Sequence, residues 1–243
     1  MPLIKDEAVA IRRLDYSETS QVLVFFTRGH GKQRLIAKGI KRGTKTRFAT
    51  GIDLLERGGL VFSRRDARGS GLGTLTEWQQ EEVFTDLRSD LRWMYAGQYA
   101  AEVVDAATED NDAAPGLYDA LVSILQSLSR QGPPALVWFQ RRLLEEIGLM
   151  PDLSRCVACG RRWSGQSRPF FSSRQGGLIC LDCEGPLVEK RRVEPAAAAA
   201  LLADEIPDDA AAEAFDLLDY HLTESLGRSL RMSHHVRQIV LAR

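Results

Sequence analysis

Hydrophobic residues recur with two different periods along this chain of 243 residues. Up to residue 80 the apolar runs are short, rich in β-branched and aromatic side chains, and bounded by glycine or polar clusters. Val9, Ile11 and Leu14 sit in a segment of period-two character, and 21–27 is a β-rich run carrying Val22, Leu23, Val24, Phe25 and Phe26. The turn-like Arg28-Gly29-His30-Gly31 leads into a third strand at 33–37. Two more fall at 59–63 and 72–78, separated by the polar, glycine-rich stretch 64–71. Five short strands in succession suit a small closed barrel. Strand count alone fits an OB-fold and an SH3-like barrel about equally.

From Glu81 the period becomes helical. Val83, Leu87, Leu91, Met94 and Tyr95 line one face, which continues through Tyr99 and Val103. Asp112-Ala113-Ala114-Pro115-Gly116 breaks it. Leu117, Leu121, Ile124, Leu125 and Leu128 predict a second amphipathic helix, ended by Gly132-Pro133-Pro134, and a third runs from Ala135 to about Ile147 before Gly148 and Pro151. An alanine-rich helix follows near 195–202, and an amphipathic one near 210–226 carries Phe215, Leu218 and Leu222. The expected organisation is α+β. A five-stranded barrel domain at 1–79 precedes a helical domain at 80–243, which is interrupted by a cysteine-bearing module at 154–186.

That module holds every cysteine of the chain, as Cys156-x-x-Cys159 and Cys180-x-x-Cys183. Two residues between cysteines let one turn present both sulfurs to a single ion, and two such turns complete a tetrahedron. The spacing therefore predicts one structural Zn²⁺ on Cys156, Cys159, Cys180 and Cys183. Four thiolates leave no coordination position for water, so the metal holds structure and catalyses nothing. Disulfides fit poorly: residues 1–7 already include Asp6 and Glu7 and lack an apolar core, so neither secretion nor organelle import is expected. The longest small-apolar stretch, 196–203, is far too short to span a bilayer. The expectation is a cytoplasmic protein.

A formal charge of −1 conceals an asymmetry, because residues 1–78 are net basic and the rest net acidic. Such a division hints at nucleic-acid contact by the basic part. Between Glu18 and Asp53 there is no acidic residue, yet Arg28, Lys32, Arg34, Lys38, Lys41, Arg42, Lys45 and Arg47 all fall there. The densest part is 38–47, whose glycines leave backbone amides accessible and whose hydroxyls can join the cations on phosphate oxygens. Uninterrupted like charge repels itself, which points to an external anion as its partner. Phe25, Phe26, Phe48 and Trp78 are candidates for base stacking, each weighed against a place in the core, with Phe48 inside the basic loop the best placed.

Enzyme signatures are missing or broken. The glycines of 69–74 lack the third spaced glycine of a dinucleotide loop and precede a strand. Gly29-His30-Gly31-Lys32-Gln33 has neither the spacing nor the hydroxyl of a phosphate-binding P-loop. No His-Glu-x-x-His occurs, nothing before Cys156 supplies the deaminase element, and His30, His221, His234 and His235 have no spacing relation to a nucleophile. No catalytic residues are expected.

Several blocks together resemble a known family, that of the bacterial DNA repair protein RecO. They are Asp15-Tyr16-Ser17-Glu18-Thr19-Ser20, then Phe26-Thr27-Arg28-Gly29-His30-Gly31-Lys32, then Ala37-Lys38-Gly39 with Arg42. The approach Gly148-Leu149-Met150-Pro151 and the two cysteine pairs match zinc-bearing members. One departure is Phe48-Ala49-Thr50-Gly51-Ile52, where the family often has a Gln-Pro-Phe-like element. The resemblance implies that the barrel is an OB-fold and that the chain is a non-enzymatic recombination mediator acting in the DNA damage response. Such a protein binds single- and double-stranded DNA and anneals complementary strands. With RecR it helps load RecA on strands coated by single-strand DNA-binding protein, whose C-terminal tail its helical domain receives. It would be nucleoid-associated, with no small-molecule substrate. The implied DNA contacts are Arg34, Lys38, Lys41, Arg42, Lys45 and Arg47, with Lys32 behind them. The alternatives are a zinc-ribbon adaptor for transcription or translation with an RNA-binding barrel, and an unrecognised enzyme that uses the barrel–helix interface as a pocket.

Overall fold

The structure is a computed structural model and describes residues 2–38, 51–64, 71–165, 167–203 and 205–242. The chain divides into two compact units, 1–126 and 127–243.

Unit 1 is built on five strands: β1 (Ile4–Asp15), β2 (Gln21–Thr27), β3 (Gly31–Ala37), β4 (Arg57–Ser63) and β5 (Gly73–Glu82). They close in the order β1-β2-β3-β5-β4, with β4 returning to β1 and with β3 and β5 paired in parallel. This is the OB-fold connectivity. Ala8, Ala10, Leu23, Phe25, Leu35, Phe62, Leu75 and Trp78 fill the interior. The Phe25 and Trp78 rings meet there with centroids 5.2 Å apart. Strand β1 departs from simple alternation, because Ala8 to Ile11 are buried consecutively. One side of this run faces the barrel interior, and helix α2 (Leu91–Ala107) packs against the strand. Gly31 opens β3 with φ of +64°, and a Cβ there would lie 1.8 Å from the Asp112 carbonyl oxygen. Only glycine admits that approach.

The continuous helix expected from Glu81 is not formed. Strand β5 runs to Glu82, a single turn α1 (Thr85–Arg88) follows, and α2 begins only at Leu91. Phe84 takes a left-handed φ of 51°, and the extended Asp90 caps α2 by accepting from the Arg92 amide (2.9 Å). Leu91, assigned to the apolar face by periodicity, is exposed as a result. Helix α3 (Pro115–Gln131) spans the boundary between the units. Its Tyr118 ring packs beside Phe26 on the outside of β2 (centroids 6.4 Å), and burial pushes the Tyr118 hydroxyl up to about 12.

Unit 2 contains α4 (Pro133–Glu146), α5 (Pro195–Leu202), α6 (Ala211–Leu226) and a C-terminal pair that periodicity did not predict, α7 (Arg231–His235) with a π-helical turn at Val236–Val240. Between α4 and α5 lies a four-stranded sheet ordered β6-β8-β7-β9, from β6 (Asp152–Cys156), β7 (Phe170–Ser172), β8 (Gly177–Ile179) and β9 (Arg191–Arg192). Glu189 ties this sheet to α6. Its carboxylate accepts from the Ser172 hydroxyl (2.6 Å), the Ser173 and Arg174 amides (3.1 Å each) and the Tyr220 hydroxyl. Beside it the imidazole of His221 is buried, with Nδ1 2.7 Å from Ser173 Oγ and Nε2 2.8 Å from the Leu149 carbonyl oxygen. Among the described residues, no helix is long and apolar enough to cross a membrane.

Candidate metal centre and nucleic-acid interface

Each cysteine pair stands on a turn at the end of a strand. β6 delivers Cys156, and β8 ends one residue before Cys180. The two strands pair in parallel, with Asp152 opposite Gly177 and Cys156 opposite Leu178, so both turns emerge at the same end of the sheet. Within the first turn the Gly160 amide donates to the Cys156 carbonyl (2.8 Å) and Gly160 takes φ of +76°. Within the second, the Cys183 amide donates to the Cys180 carbonyl (3.1 Å).

The four sulfurs lie within 4.8 Å of one another, and Cys159 Sγ is 3.8 Å from Cys180 Sγ. A disulfide would need about 2.05 Å. A tetrahedron of thiolates at about 2.3 Å from a central ion has edges of about 3.8 Å. The cluster therefore fits a tetrahedral metal ion. Its electrostatics agree. Burial raises the Cys156 thiol, but backbone amides of Cys180, Cys159 and Ala158 aimed at it outweigh that and hold it at about 6. Cys183, hydrogen-bonded to the Cys180 and Cys159 sulfurs, is pushed up to about 12. Four thiolates in this space require a cation among them.

The structure sorts the expected DNA contacts by their surroundings. Lys32 is buried. Its Nζ donates to the carbonyls of Asp105 (2.8 Å) and Thr108 (2.7 Å) and lies 3.2 Å from Asp105 Oδ1. Those partners commit its charge inward, so this lysine serves the fold and is withdrawn from the phosphate contacts. Arg34 is half-exposed, with Nε donating to Asp110 Oδ2 (2.7 Å). Lys38, immediately after β3, is exposed and has no carboxylate partner among the described residues. Lys41, Arg42, Lys45, Arg47 and Phe48 lie outside the described residues. Phe25, Phe26 and Trp78 are buried in the packing of unit 1 and offer no ring face to a base.

A pattern emerges on the helical side of the barrel. Arg12 pairs with Asp105, Arg28 with Asp119, and Arg34 with Asp110. These acids come from α2, α3 and the connection between them, so the cations facing that side are already neutralised. The opposite case is the end of the barrel where Lys38 leaves β3. The chain re-enters there at Ile52, whose amide donates to the buried side-chain oxygen of Gln21 (3.3 Å), and Gln21 pairs with Ala37. Lys38 and Ile52, which flank the densest part of the acid-free stretch, are thus anchored to one edge of the barrel.

Arg64 opens the stretch 64–71, which its glycines and polar residues mark only as a separator between two strands. Its Nε donates to Gln33 Oε1 (3.1 Å), and its guanidinium stands 5.7 Å from the Phe62 ring centroid. With Lys32, Arg34, Leu72, Asp110 and Asn111 it lines a polar cleft of about 240 Å³. An arginine closing a strand ahead of a glycine-rich connection was the available signal.

Comparison with known families agrees with this arrangement. Residues 1–84 match the family model "Recombination protein O N terminal", and residues 88–234 match "Recombination protein O C terminal". The chain is 34% identical over 186 residues to the DNA repair protein RecO of Alkaliphilus metalliredigens, covering 75% of this chain and 73% of that protein. It is 32% identical over 198 residues to the DNA repair protein RecO of Bacillus pumilus, covering 81% and 74%. The corresponding protein of Moorella thermoacetica is 31% identical over 185 residues, covering 75% and 67%. A barrel of OB connectivity, a helical second part and both family models in sequence make this chain a member of the RecO family of DNA repair proteins.

Proposed function

We propose that the protein is a DNA-binding recombination mediator without catalytic activity. It binds the phosphate backbones of single- and double-stranded DNA and anneals complementary strands. With RecR it helps load RecA on DNA coated by single-strand DNA-binding protein, whose C-terminal tail is received by the helical part. The observation that carries this reading is the anchoring of Lys38 and Ile52 at one barrel edge. Eight cations without an intervening acid fall in the stretch between Glu18 and Asp53, and its densest part, 38–47, begins at that edge. Arg34, Lys38, Lys41, Arg42, Lys45 and Arg47 are its phosphate contacts, and Arg64 joins them at the edge of β4. A basic surface lowers the repulsion between two phosphate backbones, while the bases themselves supply recognition.

The metal is zinc, one per chain, held by Cys156, Cys159, Cys180 and Cys183, where it fastens the turns after β6 and β8 to each other. The domains are an OB-fold domain at 1–79 and a helical domain at 80–243 carrying the metal module at 154–186. The protein acts in the cytoplasm, on the nucleoid.

The test is annealing of complementary strands precoated with single-strand DNA-binding protein. Acceleration by this protein without nucleotide hydrolysis is the expected result. Absence of acceleration combined with tighter binding to structured RNA than to DNA would overturn the reading in favour of an RNA adaptor.

A further inference from the structure

We propose that Tyr16 is the base-stacking residue of this barrel, set at the edge where the basic segment begins. The inference rests on the DNA-binding reading above and adds which side chain meets the bases. Among the described residues of unit 1, Tyr16 is the one aromatic side chain that stands exposed, at 68%. It occupies the turn between β1 and β2, and Leu14, two residues before it, is also exposed, at 51%. An exposed tyrosine beside an exposed leucine on a small barrel has no role in packing that barrel.

Register places this ring near the cations. Asp15 is opposite Gln21, and Gln21 is opposite Ala37, so these three residues form one row across β1, β2 and β3. Tyr16 and Lys38 each extend one residue beyond that row, two strand spacings apart, or about 10 Å. Ile52 joins the same edge through its hydrogen bond to Gln21. The turn holding Tyr16 is closed by its own hydrogen bonds. The Tyr16 and Ser17 amides donate to the Ser20 carbonyl (3.1 and 3.2 Å), and the Ser17 hydroxyl oxygen accepts from the Ser20 amide (3.1 Å). A ring presented on a closed turn loses little freedom on stacking.

Charge then assigns the two halves of a nucleotide to two sides of this edge. Glu18 stands two residues after Tyr16 and disfavours phosphate at the turn, while Lys38 attracts it. A strand lying along the edge would place its phosphates toward Lys38 and its bases toward Tyr16. Unpaired bases can reach such a ring and paired ones cannot, so the site favours single strands.

The experiment compares the parent, Tyr16→Ala, Tyr16→Phe and Lys38→Ala in the full-length protein. Each is titrated across salt with oligothymidylate, with an abasic oligomer of equal length, and with duplex. Tyr16→Ala should weaken oligothymidylate binding about five- to hundred-fold at every salt concentration, the range of one lost base–aromatic stack. Its salt slope, its binding to abasic strand and duplex, and its melting temperature should match the parent. Tyr16→Phe should bind like the parent, because the ring and not the hydroxyl stacks. Lys38→Ala should instead shift the salt slope by about 0.7 on every single-stranded ligand. If Tyr16→Ala binds oligothymidylate like the parent, or loses abasic and duplex binding to the same degree, the stacking assignment is overturned. If the parent itself binds none of the three, the DNA-binding reading fails first.

Discussion

Cys159 Sγ lies 3.8 Å from Cys180 Sγ, although twenty residues separate the two in sequence. The parallel pairing of β6 with β8 makes that approach, and it leads directly to a metal prediction. Protein purified without chelator should contain one zinc per chain. Cys159→Ala should release the metal and loosen the four-stranded sheet while leaving the barrel folded. Zinc binding is worth on the order of 10–16 kcal/mol in isolated zinc-finger peptides, and here it organises a module beside helices with their own core. Metal analysis that finds no zinc, with thiols oxidised in pairs, would refute the assignment.

Gly177 is the narrowest point of that sheet. A Cβ there would stand 2.4 Å from the Asp152 carbonyl oxygen and 2.6 Å from Val157 Cγ1. Backbone cannot yield as a flexible side chain would, so Gly177→Ala should push β8 away from β6 and cost about 1–3 kcal/mol. Because those strands aim the two cysteine turns, zinc affinity should fall with stability. Competition with a chromophoric chelator measures it, and unaltered affinity would argue against the parallel pair as the positioning device.

Lys32 and Lys38 should behave as opposites. Lys32→Met removes the donor to the Asp105 and Thr108 carbonyls and leaves the Asp105 carboxylate only its longer contact with Arg12 (3.8 Å), so it should destabilise unit 1 by about 3 kcal/mol, the scale of breaking a buried ion pair. Lys38→Ala should leave stability unchanged within about 0.5 kcal/mol, as for exposed sites generally. Urea denaturation of both variants separates the two roles.

The acid-free segment sets the salt dependence of DNA binding. If about five of its cations meet phosphates, the log–log slope on single strands should be near −3.5. Changing Lys38, Lys41 and Arg42 together to alanine should reduce that slope by about 2, weaken all sequences alike and slow annealing in parallel. Zinc content should not change. A triple variant that binds and anneals like the parent would show that this charge serves something other than DNA.

His221 makes stability depend on pH. Burial lowers its pKa below the ordinary 6.5, and its Nδ1 and Nε2 already face Ser173 Oγ and the Leu149 carbonyl. Once the pH drops below about 6.5, the unfolded chain takes up a proton that the folded imidazole refuses, so stability declines until the lowered folded value is passed. Above that window the contribution is constant. Melting temperature followed between pH 7.5 and roughly pH 5 should show a steeper decline for the parent than for His221→Gln, which has no imidazole to protonate. Equal slopes would remove His221 as the cause.

Features that depend on near neighbours are legible in the residues alone. Short β-rich runs bounded by turn residues located all five barrel strands, proline and glycine marked the ends of α3 and α4, and cysteine spacing singled out the four residues whose sulfurs the fold gathers within 4.8 Å. These signals are local because backbone hydrogen bonding, caps and turn ligation act within a few residues. The remaining features need partners far apart in the chain and come from the folded state. Lys32 and Lys38 belong to the same basic run, yet Asp105 and Thr108, more than seventy positions away, turn one into a buried strut. Helix α2 covers the outside of β1 and hides its alternation. A left-handed Phe84 and a capping Asp90 divide a continuous apolar face into two helices, which periodicity cannot register because both helices keep the same period. Tyr16 and Lys38 are separated by twenty-one residues and meet at one edge only through the pairing of Asp15, Gln21 and Ala37. Charge and hydrophobicity are properties of single residues, whereas burial and pairing are properties of the folded chain.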